Sequence, residues 1–151
     1  MKGKMGTTKL LNLKSRTHLG QRSAAKHSLE AREAAFVAAN AAETKKAHGT
    51  IILDVRQVTL ITDYFVITGG DTANQVRAIV DAVDEQLSKL GYSQRSVEGK
   101  KDGRWVLLDY GDIILHVLHE KERGFYKLEQ FWNHALIVQR EEWDRSEWVQ
   151  D

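Results

Sequence analysis

Apolar residues in the first half of the chain follow a helical period and then a strand period. The alanine-rich stretch Ser28–Lys46 predicts a helix, and Gly49 is expected to stop it. Two β-branched runs, Ile51–Val55 and Asp63–Thr68, are typical of buried strands. The order of helix, strand and strand indicates a sheet that is buried by helices.

A second helix is predicted after the glycine pair that closes the second strand. Asp71 or Thr72 can cap its start, and Gly91 follows its end. Its apolar residues recur on one helical face: Val76, Ile79, Val80, Val83, Leu87 and Leu90. The short polar stretch that comes next predicts one edge strand around Val97.

The stretch from Gly103 to His119 predicts a hairpin. Gly111 and Asp112 form a two-residue turn with glycine first, and alternating strands flank it. This register pairs the following residues on one face: Tyr110 with Ile113, Leu108 with Leu115, and Val106 with Val117. The opposite face then receives Trp105, Leu107, Asp109, Ile114, His116 and Leu118.

A last helix is expected over Glu120–Trp132, and the remainder reads as a tail with two tryptophans among charges. The predicted fold class is α/β, a single domain with a mixed sheet of about five strands and packed helices. We expect a basic, flexible leader over residues 1–27, the domain over 28–134, and a C-terminal tail over 135–151.

Composition excludes several classes of protein. No apolar run approaches the roughly 18 residues of a membrane span. The absence of cysteine excludes a disulfide scaffold, a thiolate metal site and a thiol nucleophile, and it fits a reducing compartment. The sequence therefore predicts no membrane association.

Charge is distributed unevenly along the chain. All acids lie from Glu30 onward, and seven of the 22 Lys and Arg precede it. The remainder of the chain has the other 15 basic residues and all 21 acidic residues, so it carries a net charge of about −6 and follows a basic leader. We interpret the leader as a disordered basic extension of a cytoplasmic protein; the alternative is an organelle transit peptide.

The turn TGGDTANQV is the first candidate site for chemistry. Backbone N–H groups between a strand and a helix can bind phosphate, although this turn lacks the known nucleotide-binding spacings. A metal-dependent, nucleotidyltransferase-like enzyme would need Gly69 and Gly70 to converge with Asp109 and Asp112. The predicted hairpin places Asp112 in its turn and Asp109 on a strand, which is poor geometry for two-metal chemistry.

The segment HVLHE is the second candidate, for a metal. His116 and His119 are three residues apart on a predicted strand, where they point to opposite faces, and no third ligand is evident. Scattered basic residues give no signature of specific nucleic-acid binding. We therefore expect no metal site, no cofactor and no catalytic residue.

The second hairpin face is too apolar to remain open, yet Asp109 and His116 interrupt it. Either a helix covers it as a second core layer, or a partner covers it. The pattern alone leaves both interpretations open.

Two segments carry a resemblance to a known family. LDVRQVTLITDYFVITGGDTANQVRAIVDAV and EGKKDGRWVLLDYGDIILHVLHEKERGFYKLEQFW closely resemble the ribosomal silencing factor family, also called Iojap. The resemblance runs from about Ala31 to Trp132. It implies a nucleotidyltransferase-like fold without catalytic carboxylates, and a protein that is not an enzyme.

The resemblance also implies a partner and a mechanism. Members of this family bind the large ribosomal subunit through its fourteenth ribosomal protein, block joining of the small subunit and repress translation, notably under nutrient limitation. The resemblance further suggests a homodimer when the protein is free. The implied partner-binding residues are Trp105, Asp109, Tyr110, Asp112, His116 and Tyr126. We accordingly expect Trp105 to be exposed and dispensable for folding.

Overall fold

The structure, a computed structural model, describes residues 31–125, 130 and 132–150. The leader, residues 28–30 and Tyr126 lie outside this part of the chain. The helices and strands with complete bounds are α1 (Ala31–Glu43), β1 (His48–Asp54), β2 (Tyr64–Gly70), α2 (Ala73–Lys89), β3 (Ser96–Glu98), β4 (Trp105–Asp109), β5 (Ile113–His119), α3 (Glu120–Phe125), β6 (Leu136–Val138) and α4 (Arg140–Trp143). A 3-10 turn over Ser146–Trp148 follows α4.

The described strands form one six-stranded mixed sheet in the order β3-β4-β5-β2-β1-β6. All neighbours are antiparallel except β2 and β5, which run parallel. Parallel central strands are normally covered on both sides. Strand β2 fits this rule, because all seven of its residues are buried. The fold class is therefore α/β, as predicted, with one strand more than the sequence pattern indicated.

Helices α1 and α2 cover one side of the sheet, here called the helix face. The buried side chains on this side include Ile52, Tyr64, Val66, Val106, Leu108, Tyr110, Ile113, Leu115 and Val117. The Thr72 hydroxyl accepts a hydrogen bond from the backbone N–H of Gln75 (3.0 Å) and caps α2, as one of the two expected caps. This layer holds most of the core.

A smaller layer covers the opposite side, here called the second face. It consists of Leu53, Val55, Ile61, Phe65, Ile67, Trp105, Leu107, Ile114, Leu118 and Trp132. Trp132 is buried and packs edge-on against Phe65, with ring centroids 4.8 Å apart. The second face is thus a second core layer that the chain covers with its own residues.

One predicted helix end differs from the structure, and another lies partly outside the described residues. Helix α1 ends at Glu43, before the expected stop at Gly49, and both Lys46 (φ 61°) and Gly49 (φ 66°) take the left-handed backbone. Gly49 instead lies in β1, at an irregularity in the pairing with β2. The last predicted helix, Glu120–Trp132, is helical at the residues described up to Gln130 (Glu120–Phe125 and Gln130), and Trp132 lies in a turn.

Residues 136–150, which the sequence pattern assigned to a tail, pack against the domain. Strand β6 pairs antiparallel with β1, which adds the sixth strand. Trp143 is 1% exposed within the helix-face layer, and the Asn40 side chain donates a hydrogen bond to its carbonyl oxygen. The pattern did not reveal this packing because only three residues form β6 and two of them, Leu136 and Ile137, are exposed.

Candidate functional site

The hairpin β4–β5 carries five of the six residues that the sequence analysis proposed for partner binding. Its register is the predicted one: Val106 pairs with Val117, and Leu108 pairs with Leu115. The N–H of Tyr110 donates to the carbonyl oxygen of Ile113 (2.9 Å) and closes the turn. Gly111 has φ 90°, which fits a two-residue turn with glycine first.

Trp105 and His116 form a buried polar contact on the second face. The indole Nε1 of Trp105 donates a hydrogen bond to Nδ1 of His116 (3.1 Å). An indole N–H can only donate, so Nδ1 of His116 accepts and carries no proton. The imidazole also packs edge-on against Phe65, at 5.2 Å between ring centroids.

These two side chains are 5% and 1% exposed, respectively. The expectation that Trp105 is exposed is therefore wrong. The physical reason is that both side chains belong to one buried layer, in which Phe65 packs against His116 and Trp132 packs against Phe65. Of the two interpretations that the sequence left open, the structure shows the second core layer.

Asp109 and Asp112 shape the hairpin tip. Oδ1 of Asp109 accepts a hydrogen bond from the N–H of Gly111 (2.8 Å), which ties the acid to the turn. The backbone oxygen of Asp112 accepts hydrogen bonds from the N–H groups of Asp63 (3.0 Å) and Tyr64 (3.2 Å). Both acids are buried, and Asp112 joins the tip to the start of β2.

Tyr110 faces α2, as the predicted register requires. Its hydroxyl donates a hydrogen bond to Oδ1 of Asp84 (2.6 Å). Burial raises the pKa of Tyr110 far above its usual value, and the hydrogen bond to Asp84 adds to this rise. Tyr110 is thus a buried link between the hairpin and helix α2. Tyr126, the sixth predicted residue, lies outside the described residues.

The glycine pair and the two acids do not form the single site that an enzyme would require. Gly69 and Gly70 end β2, whereas Asp112 lies beside Tyr64 at the start of that strand. Six residues of extended strand span about 20 Å. The hypothesis of one metal-dependent site built from Gly69, Gly70, Asp109 and Asp112 is therefore wrong.

Exposed side chains surround the hairpin tip, and the sequence analysis did not single them out. Leu60, on the loop between β1 and β2, is 66% exposed. The guanidinium of Arg95 lies against Gly111, where a Cβ would come within 3.4 Å of it. Leucine in a polar connection, as in VTLITD, was the available signal for such a surface.

An ion pair lies at the same end of the sheet, where β1 ends. Arg56 donates two hydrogen bonds to the carboxylate of Asp54 (2.9 and 2.7 Å). These hydrogen bonds lower the pKa of Asp54, and the Asp54 contact raises the pKa of Arg56. The hairpin end of the sheet therefore presents one exposed leucine, Leu60, and two exposed arginines, Arg56 and Arg95.

Comparison with known proteins identifies the family. The family model described as "Ribosomal silencing factor during starvation" matches residues 28–150. A Bacillus subtilis protein named ribosomal silencing factor RsfS is 38% identical over 102 residues, which cover 68% of this chain and 86% of the relative. A Halalkalibacterium halodurans protein of the same name is 37% identical over 105 residues, covering 70% and 90%.

The fold agrees with a solved structure of similar sequence. A crystal structure of a Chromobacterium violaceum protein has a TM-score of 0.67 at 32% identity, covering 69% of this chain and 87% of that one. No helix among the described residues is long and apolar enough to cross a membrane. From the family model, the relatives and the shared fold, the chain belongs to the ribosomal silencing factor family.

Proposed function

We propose that this protein binds the large ribosomal subunit through its fourteenth ribosomal protein and sterically prevents the small subunit from joining. The effect would be repression of translation, notably when nutrients are limiting. The observation that carries this proposal is the family match over residues 28–150, whose description names silencing of ribosomes during starvation. The bacterial relatives carry the same name over most of their length.

A steric block requires a folded domain and a surface that binds the partner, and it requires no catalysed reaction. Both faces of the sheet are core layers here, so a partner must bind to exposed side chains around the domain. We propose that the protein acts without a catalytic residue and without a cofactor. Binding energy at such surfaces is concentrated in a few side chains, most often tryptophan, tyrosine or arginine.

The hairpin end of the sheet is the surface that we propose for this contact. Leu60, Arg56 and Arg95 are exposed there, around the buried turn at Gly111. Trp105, Asp109, Tyr110, Asp112 and His116 are the residues that the family resemblance implicates. We propose that these five hold the hairpin in the geometry that the partner recognises, and that Tyr126 adds a contact.

The test is a pair of leucine variants that do not change charge. Leu60→Ala should weaken binding to isolated large subunits by roughly tenfold or more, because burying a leucine side chain stabilises a contact by about 1.5–3 kcal/mol, and should leave the melting temperature unchanged. Leu90→Ala is the matched control, because Leu90 is also an exposed leucine but ends helix α2. Equal binding by both variants would remove Leu60 from the contact surface.

Two further features of the proposal concern assembly and location. We propose that the free protein can pair as a homodimer, as the family resemblance suggests, and that it makes no specific contact with nucleic acid. Light scattering on the purified chain tests the first point, since a mass near 17.2 kDa would indicate a monomer. Its ribosomal target places the protein in the cytoplasm, or in an organelle if the leader is a transit peptide.

A further inference from the structure

The fold brings together the ends of two segments that were candidate sites in the sequence, at residues to which the proposed function gives no role. The two segments are the turn TGGDT after β2 and the segment HVLHE at the end of β5. Gly70 and His119 are paired at the ends of the two parallel strands. Asp71 and Glu120 therefore follow adjacent strand ends.

A histidine from a third strand completes this group. His48 begins β1 and is paired with Gly69 of β2. One potential ligand atom from each of His48, Asp71 and Glu120 lies within 4.8 Å of the other two. Nε2 of His48 is 2.7 Å from Oδ1 of Asp71. The three residues are far apart in the sequence, so only the fold shows that they meet.

The imidazole of His48 lies next to Gly69. A Cβ on Gly69 would lie 3.6 Å from Cε1 of His48 and 3.3 Å from the backbone oxygen of Leu118. The His48 imidazole thus lies beside the end of β2, with Nε2 within hydrogen-bond distance of Asp71.

The group also lies where this type of sheet offers a crevice. The chain leaves β2 toward α2 on the helix face, and it leaves β5 through α3 toward Trp132 on the second face. Adjacent parallel strands whose connections diverge in this way leave an opening at their carboxyl ends, which is the usual ligand position in open α/β sheets.

We propose that His48, Asp71 and Glu120 bind a divalent transition-metal ion such as Zn²⁺, with water completing its coordination. One imidazole and two carboxylates are ligands that Zn²⁺ accepts at about 2.0–2.2 Å, which sets neighbouring ligand atoms roughly 3–3.5 Å apart. The three side chains are exposed and can rotate to close the difference from 4.8 Å. The ion replaces the proton that His48 and Asp71 share in their hydrogen bond.

Charge at the site favours a cation. The two carboxylates of the site attract a cation, and the guanidinium of Arg123 reaches the nearby backbone oxygen of Gly49 at 3.5 Å. A bound ion joins β1, β2 and the start of α3, and it therefore stabilises the folded state over the unfolded one. This inference is independent of ribosome binding.

Thermal unfolding of the full chain, prepared without a polyhistidine tag, tests the site. Zn²⁺ should raise the melting temperature of the parent protein, because only the folded chain brings the three ligands together. His48→Asn, Asp71→Asn and Glu120→Gln should each abolish the rise and weaken Zn²⁺ binding by at least tenfold. Mg²⁺, which prefers oxygen ligands, should have little effect.

His134→Asn is the matched control, because His134 is exposed and lies outside the group. It should keep the full rise in melting temperature. Co²⁺ absorption provides a second readout that reports coordination, which separates this site from weak binding to the leader histidines His18 and His27. No rise in the parent protein, or a rise that His48→Asn retains, would overturn the proposal.

Discussion

Trp105 shows how a single buried polar contact constrains the second face. Its indole fills space among Leu107, Leu118 and their neighbours, and its N–H is satisfied by His116. A buried donor without a partner costs about 1–3 kcal/mol, so the two side chains depend on each other. The contact also keeps the His116 ring in a form whose Nδ1 accepts the hydrogen bond from Trp105.

Replacing Trp105 should therefore destabilise the fold. Trp105→Ala is expected to lower the free energy of unfolding by about 3–5 kcal/mol, the usual cost of truncating a buried tryptophan. Trp105→Phe keeps most of the ring volume and should cost less. Denaturation in urea measures both values. A loss below about 1 kcal/mol for Trp105→Ala would contradict the burial of this residue.

Tyr110 should make the protein sensitive to alkaline pH. Its folded-state pKa is raised above the unfolded value of about 10, so the folded chain keeps a proton that the unfolded chain releases. Its contribution to stability is complete below about pH 10 and is lost as the pH rises further. Tyr110→Phe should show a weaker decline in unfolding free energy between pH 9 and 11.5. Identical pH profiles for the parent and the variant would contradict this assignment.

At the level of elements, the hairpin was predictable and its surroundings were not. Strict alternation on both sides of Gly111–Asp112 permits one register, since a slip by one residue would turn Leu108 and Leu115 away from the helix face. The buried layer that contains Trp105 also contains Trp132, which lies in a turn where no periodicity indicates the direction of its side chain. Strand β6 escaped prediction for a related reason, because its pairing with β1 depends on a distant segment.

Helix α4 was not predicted either, because its four residues are too few to show a periodic pattern. It packs against the domain through Trp143. The Arg140 guanidinium lies 4.5 Å from the centre of the Trp143 ring and donates hydrogen bonds to both carboxylate oxygens of Glu43 (3.0 and 2.7 Å). The N–H of Arg145 donates to Oδ1 of Asn40 (3.1 Å). These contacts fasten the C-terminal segment to α1.

Trp143 and Trp148 form a matched pair for testing this attachment. Trp143→Ala should cost about 3–5 kcal/mol of unfolding free energy, because its side chain is fully buried. Trp148 is partly exposed and packs edge-on against Phe36 at 5.5 Å, so Trp148→Ala should cost clearly less. Chemical denaturation of both variants gives the comparison. If neither substitution changed stability, the segment would behave as the tail that the pattern indicated.

Viewed as a whole molecule, the domain separates its core from its candidate contact surface. Both sides of the sheet are buried, and the exposed apolar and arginine side chains at the hairpin end lie outside the two layers. The sequence indicated the family and the hairpin. It could not show that Trp105 and His116 are buried, because an apolar strand face has the same sequence pattern whether the chain itself or a partner protein covers it.

Cosedimentation with separated ribosomal subunits tests the central claim most directly. The full chain is mixed with purified large or small subunits at physiological salt, and the pelleted protein is quantified. A protein that blocks subunit joining from the large subunit should pellet with large subunits and remain in solution with small ones. Equal recovery with both subunits, or with neither, would contradict the proposed function.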